Sequence, residues 1–317
     1  MKRNRKVQIN ESIFDEFFSS VGKYPGINET LSNISNIWKS VLMDQYPTNI
    51  FSLLEKGNIR EIKGAYENYY VNGISDGACG GKGLDKFSRR WEITQRSIKR
   101  LEPLKEHFGV KSDYKDQHLA PPALLSKLTN NFNVPKVIEI GQPWGWFYNN
   151  TFYHYELADH IYFADIIIKV LDLLKLNKIC FLGDGTGLTG CLVNNNYNVE
   201  TAHFIDLAHF LLKQYILNRD RNAKFHYAEN FITDNIMGSQ ILINQDSFPE
   251  IPSECLDNYF QCLNENKIEY VLSYNHEIFA DNHVDYRKKL IDIGMSSAIR
   301  FESSLRSKYI IELFYKL

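Results

Sequence analysis

The 317-residue chain is short of charge bias, long apolar runs and patterned cysteine, and each shortage excludes a class of protein. With 36 basic against 38 acidic residues, a net charge of -2 gives no electrostatic footing for nucleic acid or an anionic membrane. No apolar stretch approaches the roughly 20 residues a membrane span requires. The start, "MKRNRKVQIN", is basic but has no apolar run behind it, so it does not read as a secretory signal. The five cysteines (Cys79, Cys180, Cys191, Cys255 and Cys262) form no CxxC pair and no metal-finger spacing, which makes a cytoplasmic setting the expectation. The nine histidines contain no HExxH-type pair. A divalent site wants two or three close carboxylates, and Asp246, Glu250 and Glu277 include no adjacent Asp pair, so a required metal is disfavoured.

What is present is an ordinary core-forming composition, 44% hydrophobic, arranged in two unlike halves. From Glu11 to about Asn131 the apolar residues recur at helical spacing, as in Ile13, Phe14, Phe17 and Phe18. From Pro135 the texture alternates and carries the turn signals "GQPWG" and "YNNT", which predict a short β hairpin. After Leu157 an apolar helical stretch leads into alternating strands and helices. Predicted strands are Lys178–Leu182, Val199–Ile205, Lys224–Tyr227, Gln240–Asn244 and Glu269–Ser273, with helices such as Leu207–Leu217 and Cys255–Asn264 between them. Five strands joined by crossovers indicate a parallel, doubly wound α/β sheet. The last two strand-like runs, Ala298–Glu302 and Tyr309–Tyr315, are joined too closely for anything but an antiparallel hairpin. The expected organisation is a mainly helical region 1–134, a β-hairpin segment 135–156 and a Rossmann-like domain 157–317.

The segment "NKICFLGDGTGLTGCLV" (Asn177 to Val193) carries the chemistry: a strand breaks into a glycine turn and then a helix. A dinucleotide fingerprint counted from Gly183 finds Leu188 at its sixth position. Counted from Gly185 it fits, but begins two residues beyond the strand. Gly183-x-Gly185-x-Gly187 fits without a shift as the glycine loop of Rossmann-like methyltransferases, where bare backbone lets S-adenosylmethionine pass closely. The next strand ends in Asp206, a carboxylate able to accept both ribose hydroxyls. The terminal hairpin also favours the methyltransferase arrangement. One departure stands out: the position two before the first glycine, often acidic, is Phe181, with Asp184 inside the loop as a substitute.

These residues, with "EIGQPWGWF" (Glu139 to Phe147), "FIDLA" (Phe204 to Ala208), "LINQDSFPEI" (Leu242 to Ile251) and "SYNHE" (Ser273 to Glu277), resemble the sugar O-methyltransferases of bacterial surface-polysaccharide gene clusters. The resemblance spans roughly Lys136 to Leu317. It implies a class I Rossmann-like fold and S-adenosylmethionine-dependent methyl transfer to a sugar hydroxyl in capsule or lipopolysaccharide assembly. The acceptor would be a nucleotide sugar, a lipid-linked glycan or a polysaccharide.

Ligands of an open α/β sheet bind beyond the carboxyl ends of its strands. Gly183, Asp184, Gly185, Gly187, Asp206, Leu207 and Asn244 are therefore the expected cofactor residues. Asp246, His276 and Glu277 are the expected catalytic groups, since a sugar hydroxyl needs a base to take its proton. Trp144 and Trp146 are candidates to stack on a sugar, and Ser247 and Asn275 to bind it. "GACGGKG" misses the phosphate-loop pattern at Asp76 and Gly83, and reads as a surface loop or lid. With Arg89-Arg90-Trp91 close behind, closure over an anionic or nucleotide-linked sugar is the alternative to a solvated loop. Two other functions compete: an NAD(P)-dependent sugar oxidoreductase or epimerase, and a non-catalytic Rossmann protein in glycan assembly. The helical half leaves room for a homo-oligomer contact.

Overall fold

The computed structural model describes residues 1–32, 34, 39, 49–74, 86–111, 120–230, 236, 238–277 and 284–316. The glycine-rich loop at 75–85 lies outside the described residues. Before Pro135 the chain forms α1 (Ser12–Val21), α2 (Ile27–Ser32), α3 (Asn49–Lys56), α4 (Ile59–Glu67), α5 (Phe87–Lys99), α6 (Leu101–Phe108) and α7 (Ala120–Leu128). α1 shows why these segments fold as helices: Ile13, Phe14 and Phe17 lie on one face and are buried together.

Three short antiparallel strands, β1 (Lys2–Arg3), β2 (Trp144–Tyr148) and β3 (Thr151–His154), make a small sheet in the order β1-β2-β3. Asn149 and Asn150 both adopt positive φ, 49° and 61°, which suits a tight two-residue hairpin turn. The predicted hairpin is thus present, with the chain's first residues added to its edge.

The larger sheet has seven strands: β4 (Lys178–Leu182), β5 (Thr201–Asp206), β6 (Ala223–Tyr227), β7 (Ile241–Gln245), β8 (Tyr270–His276), β9 (Met295–Glu302) and β10 (Tyr309–Lys316). Their order is β6-β5-β4-β7-β8-β10-β9. The first five are parallel to one another, and β10 runs antiparallel to both β8 and β9. This is a Rossmann-like α/β sheet finished by an antiparallel hairpin, as expected from the sequence.

α8 (Leu157–Leu174), which leads into β4, and the crossovers α9 (Leu188–Asn196), α10 (Ala208–Asn218), α11 (Ser253–Glu265) and α12 (Tyr286–Asp292) cover both faces. The strands therefore read as continuous apolar runs rather than alternating ones. Side-chain alternation divides the core in two. Phe181 and Phe204 join the cluster holding Ile167, Leu192 and Leu211. Cys180, Leu182 and Ile205 join the one holding Leu256, Phe260 and Leu290. In parallel register, Phe181, Phe204 and Phe225 stack across β4, β5 and β6, with centroids 5.2 and 5.3 Å apart. Phe181, standing where an acid was expected, is thus a rung of an aromatic ladder.

The N-terminal helices continue the first core. Phe17 meets Tyr215 and Tyr227 edge-on at 5.2 and 6.0 Å, and the Tyr66 hydroxyl donates to the His209 carbonyl at 2.7 Å. α2 is tied to the end of β6 by the Thr30 hydroxyl, 2.8 Å from the Glu229 carboxylate.

Candidate functional site

The chain leaves β4 for β5 and β6 on one side, then returns to β7 on the other. The reversal point of the sheet therefore lies between the carboxyl ends of β4 and β7, where open α/β sheets bind ligands. A cleft of about 1040 Å³, open solvent included, occupies that place.

Its floor is the glycine turn. Gly183, Gly185 and Gly187 all take positive φ, 74°, 56° and 79°. A Cβ on Gly183 would also run into the Ser247 hydroxyl, so this position excludes any larger residue twice over. Asp206, at the end of β5, holds the turn from the side. Its Oδ2 accepts from the Gly185 N–H at 3.0 Å and from Gln214 Nε2 at 2.6 Å, while Oδ1 accepts from the Leu207 N–H at 2.8 Å. Burial pushes its carboxyl up to about 7, against the pull of those hydrogen bonds. Oδ1 keeps acceptor capacity beyond its single bond.

Asp184 turns the other way. Its Oδ2 accepts from the Gly190 N–H at 2.8 Å, in the first turn of α9, which is where a carboxylate satisfies an orphan helix donor. Burial raises it to about 8, and the neighbouring Asp206 adds to the rise. Asp184 is thus a helix cap on the cleft wall.

The walls are graded. On the β5–β6 side they are largely apolar, with Leu207, Phe210 and Ala228, joined by Ile34, Ile251 and Tyr259. On the β7 side they are polar, with Glu156, His160, Gln245, Asp246, Glu250 and Arg306. Asp246, at φ 58°, accepts from the Tyr309 hydroxyl at 2.8 Å and from Arg306 at 3.0 Å. Burial lifts its carboxyl above the ordinary range while Arg306 opposes the rise.

His160 stands on the first turn of α8, with Nδ1 2.7 Å from the Thr189 hydroxyl, which in turn lies 2.6 Å from Gln245 Oε1. An amide oxygen only accepts, so the Thr189 proton points to Gln245 and His160 Nδ1–H donates to Thr189. With Gln245 oriented this way, Nε2 is left with the lone pair. Burial, reinforced by Arg306, holds the imidazole down at about 4.

Gly183, Asp184, Gly185, Asp206, Leu207, Asp246 and Ser247 all line the cleft, and Gly187 supports it as the left-handed residue before α9. The remaining expected residues are placed elsewhere. Asn244 and Asn275 are fully buried, and their amides bond to each other at 2.9 Å and to Leu182, Phe248, Ser247 and Ser273. They brace the β7 and β8 ends, whereas the chain reaches the cleft at Gln245 and Asp246. His276 lies outside the lining, with Nε2 4.0 Å from Glu250 and its ring edge-on to Tyr309. Glu277 accepts from Arg300 of β9 at 2.5 Å.

Trp144 and Trp146 are buried on the small sheet, away from the cleft. Trp144 lies under the guanidinium groups of Arg3 and Arg90, 4.8 and 5.0 Å from its ring centre. Neither is open to stack on a sugar in the cleft, because the helical region covers them. Among the described residues no group of three or more His, Cys, Asp or Glu is placed to hold a metal, and no helix is long and apolar enough to cross a membrane.

Sequence reasoning passed over His160, Gln214, Gln245 and Arg306. For His160 a signal existed: Asp159-His160 interrupts an apolar helix at its first turn.

No protein-family model and no curated protein matches the chain. Among solved structures, magnesium protoporphyrin IX methyltransferase from Synechocystis PCC 6803, determined with bound SAM, is similar at 15% identity and a TM-score of 0.40, over 51% of this chain and 84% of that one. The methyltransferase domain of bacterial CtHen1 is similar at 11% identity and a TM-score of 0.38, over 48% and 96%. The fibrillarin pre-rRNA processing protein of Methanococcus jannaschii follows at 12% and 0.33, over 44% and 66%.

Proposed function

We propose that the protein is an S-adenosylmethionine-dependent O-methyltransferase acting on a sugar hydroxyl. The observation that carries the reading is the graded cleft at the sheet's reversal point. An adenine suits the apolar wall of Leu207, Phe210 and Ala228, and a ribose suits the remaining acceptor capacity of Asp206. The glycine turn leaves backbone rather than side chains beside the rest of the cofactor. When bound, the cofactor supplies an electrophilic methyl group on sulfur.

The chain's own residues supply the proton chemistry. His160 Nε2, lone pair in place and neutral at physiological pH, takes the proton of the attacking hydroxyl. Thr189 and Gln245 hold that tautomer. Asp246, expected from sequence as a catalytic group, fixes Arg306 and with Tyr309 shapes the acceptor end. The choice of a sugar, and a role in surface-polysaccharide assembly, are supported by the motif resemblance alone.

The test is transfer of tritiated methyl from S-adenosylmethionine to a panel of free sugars, sugar phosphates and nucleotide sugars. Label appearing in a sugar ether supports the reading. A chain that binds the cofactor yet labels only amines, thiols or carboxylates contradicts the O-methyl assignment.

A further inference from the structure

A second groove opens beside the cleft and shares Glu156 and Arg306 with it. Arg89, Arg96 and Lys99 of α5, with Arg100 just after it, face Ser304 and Ser307 of the β9–β10 turn. The spacing 89, 96, 99 and 100 places these cations along one side of a helix. With Arg306, five cationic side chains line the groove against two carboxylates, Glu156 and Asp159.

Internal pairing compensates this charge only in part. Glu92 is shared by Arg89, at 2.6 Å, and Arg96; Asp159 is shared by Arg100 and Arg306, and Arg306 also pairs with Asp246 at 3.0 Å. Lys99 makes no ion pair among the described residues. Since the whole chain carries -2, the local excess of positive charge is a feature of this face. Guanidinium forks and serine hydroxyls are the donors that suit phosphate oxygens.

Resting on the methyltransferase reading, we infer that the acceptor carries a phosphate or pyrophosphate group. The groove holds this group while the sugar reaches through to His160. α5 fits such a clamp, because none of its 13 residues is fully buried and its cations remain available to a ligand.

The experiment is calorimetric titration of the full chain and of Arg96→Ala/Lys99→Ala with UDP-glucose, glucose 1-phosphate and neutral glucose. S-adenosylhomocysteine is titrated in parallel. The expected result is binding of at least one phosphorylated sugar, weakened tenfold or more in the double variant and by added salt, with S-adenosylhomocysteine affinity unchanged. Tighter binding of UDP-glucose assigns the phosphate to a nucleotide-linked acceptor, and tighter binding of glucose 1-phosphate to a simple sugar phosphate. The inference is overturned if neither phosphorylated sugar binds, if the double variant binds them as well as the unaltered chain, or if glucose binds equally well. Loss of S-adenosylhomocysteine binding alone would sink the methyltransferase reading and leave the anion groove standing.

Discussion

His160 Nδ1 and Thr189 Oγ1 lie 2.7 Å apart, and that bond determines which imidazole nitrogen remains able to accept a proton. It links the first turn of α8 to the helix that follows the glycine turn, so the proposed base and the glycine turn are positioned together. With an acceptor that turns over, His160→Gln is expected to lower kcat by about 10²–10⁴ and to leave S-adenosylhomocysteine affinity unchanged. Because the imidazole is held at about 4, the rate should be level from pH 6 to 8 and fall only toward pH 4. A half-loss near pH 6.5 that His160→Gln abolishes would contradict the assignment.

Asp206 joins the end of β5 to the turn after β4 through the Gly185 N–H. Asp206→Ala removes this anchor, the Gln214 partner and the proposed ribose acceptor together. Loss of charge-assisted hydrogen bonds worth about 1.5–3 kcal/mol predicts a cofactor affinity lower by roughly 10- to 100-fold. Calorimetry on a variant shown by circular dichroism to be folded is the check; unchanged affinity would remove Asp206 from the site.

Gly183 combines a positive φ with contact against Ser247. Gly183→Ala should destabilise the fold by about 1–3 kcal/mol, visible as a lower Tm. Pairing it with Ser247→Gly should recover part of that loss by opening the contact, while the strain of the left-handed backbone persists. No recovery would show that Ser247 is not the obstacle.

Asp184 gives a pH dependence with a defined sign. Its carboxyl is raised to about 8 in the fold, against an ordinary value of 3.8. The folded chain therefore keeps a proton that the unfolded chain releases. The stability this group contributes is complete below about pH 4 and declines as pH rises toward 8. Asn keeps a carbonyl oxygen for the Gly190 N–H and does not titrate. Asp184→Asn should flatten the fall of Tm between pH 5 and 8; an equally steep fall would assign it to other groups.

Much of the fold is legible in the sequence because buried parallel strands write themselves as short apolar runs. Lys178–Leu182 is found as predicted, and its neighbours begin or end within a few residues of their expected bounds. β1 is not legible, since two residues, Lys2 and Arg3, carry no periodicity and pair only after β2 exists. The glycine turn and Asp206 are readable because backbone conformation and strand-end position dictate them. The acceptor end is not. Asn244 and Asn275 look like ligands until their amides are seen bonded to the framework, and Trp144 and Trp146 until the helices cover them. His160 and Arg306 come from a helix start and a hairpin turn far apart in sequence, brought together only by the sheet.

The most direct measurement is calorimetric titration of the purified chain with S-adenosylhomocysteine, with NAD⁺ and NADP⁺ in parallel. Micromolar binding of S-adenosylhomocysteine and none of either nicotinamide cofactor is the predicted result. Binding of a nicotinamide cofactor alone would contradict the methyltransferase account, and binding of none would favour a non-catalytic Rossmann protein.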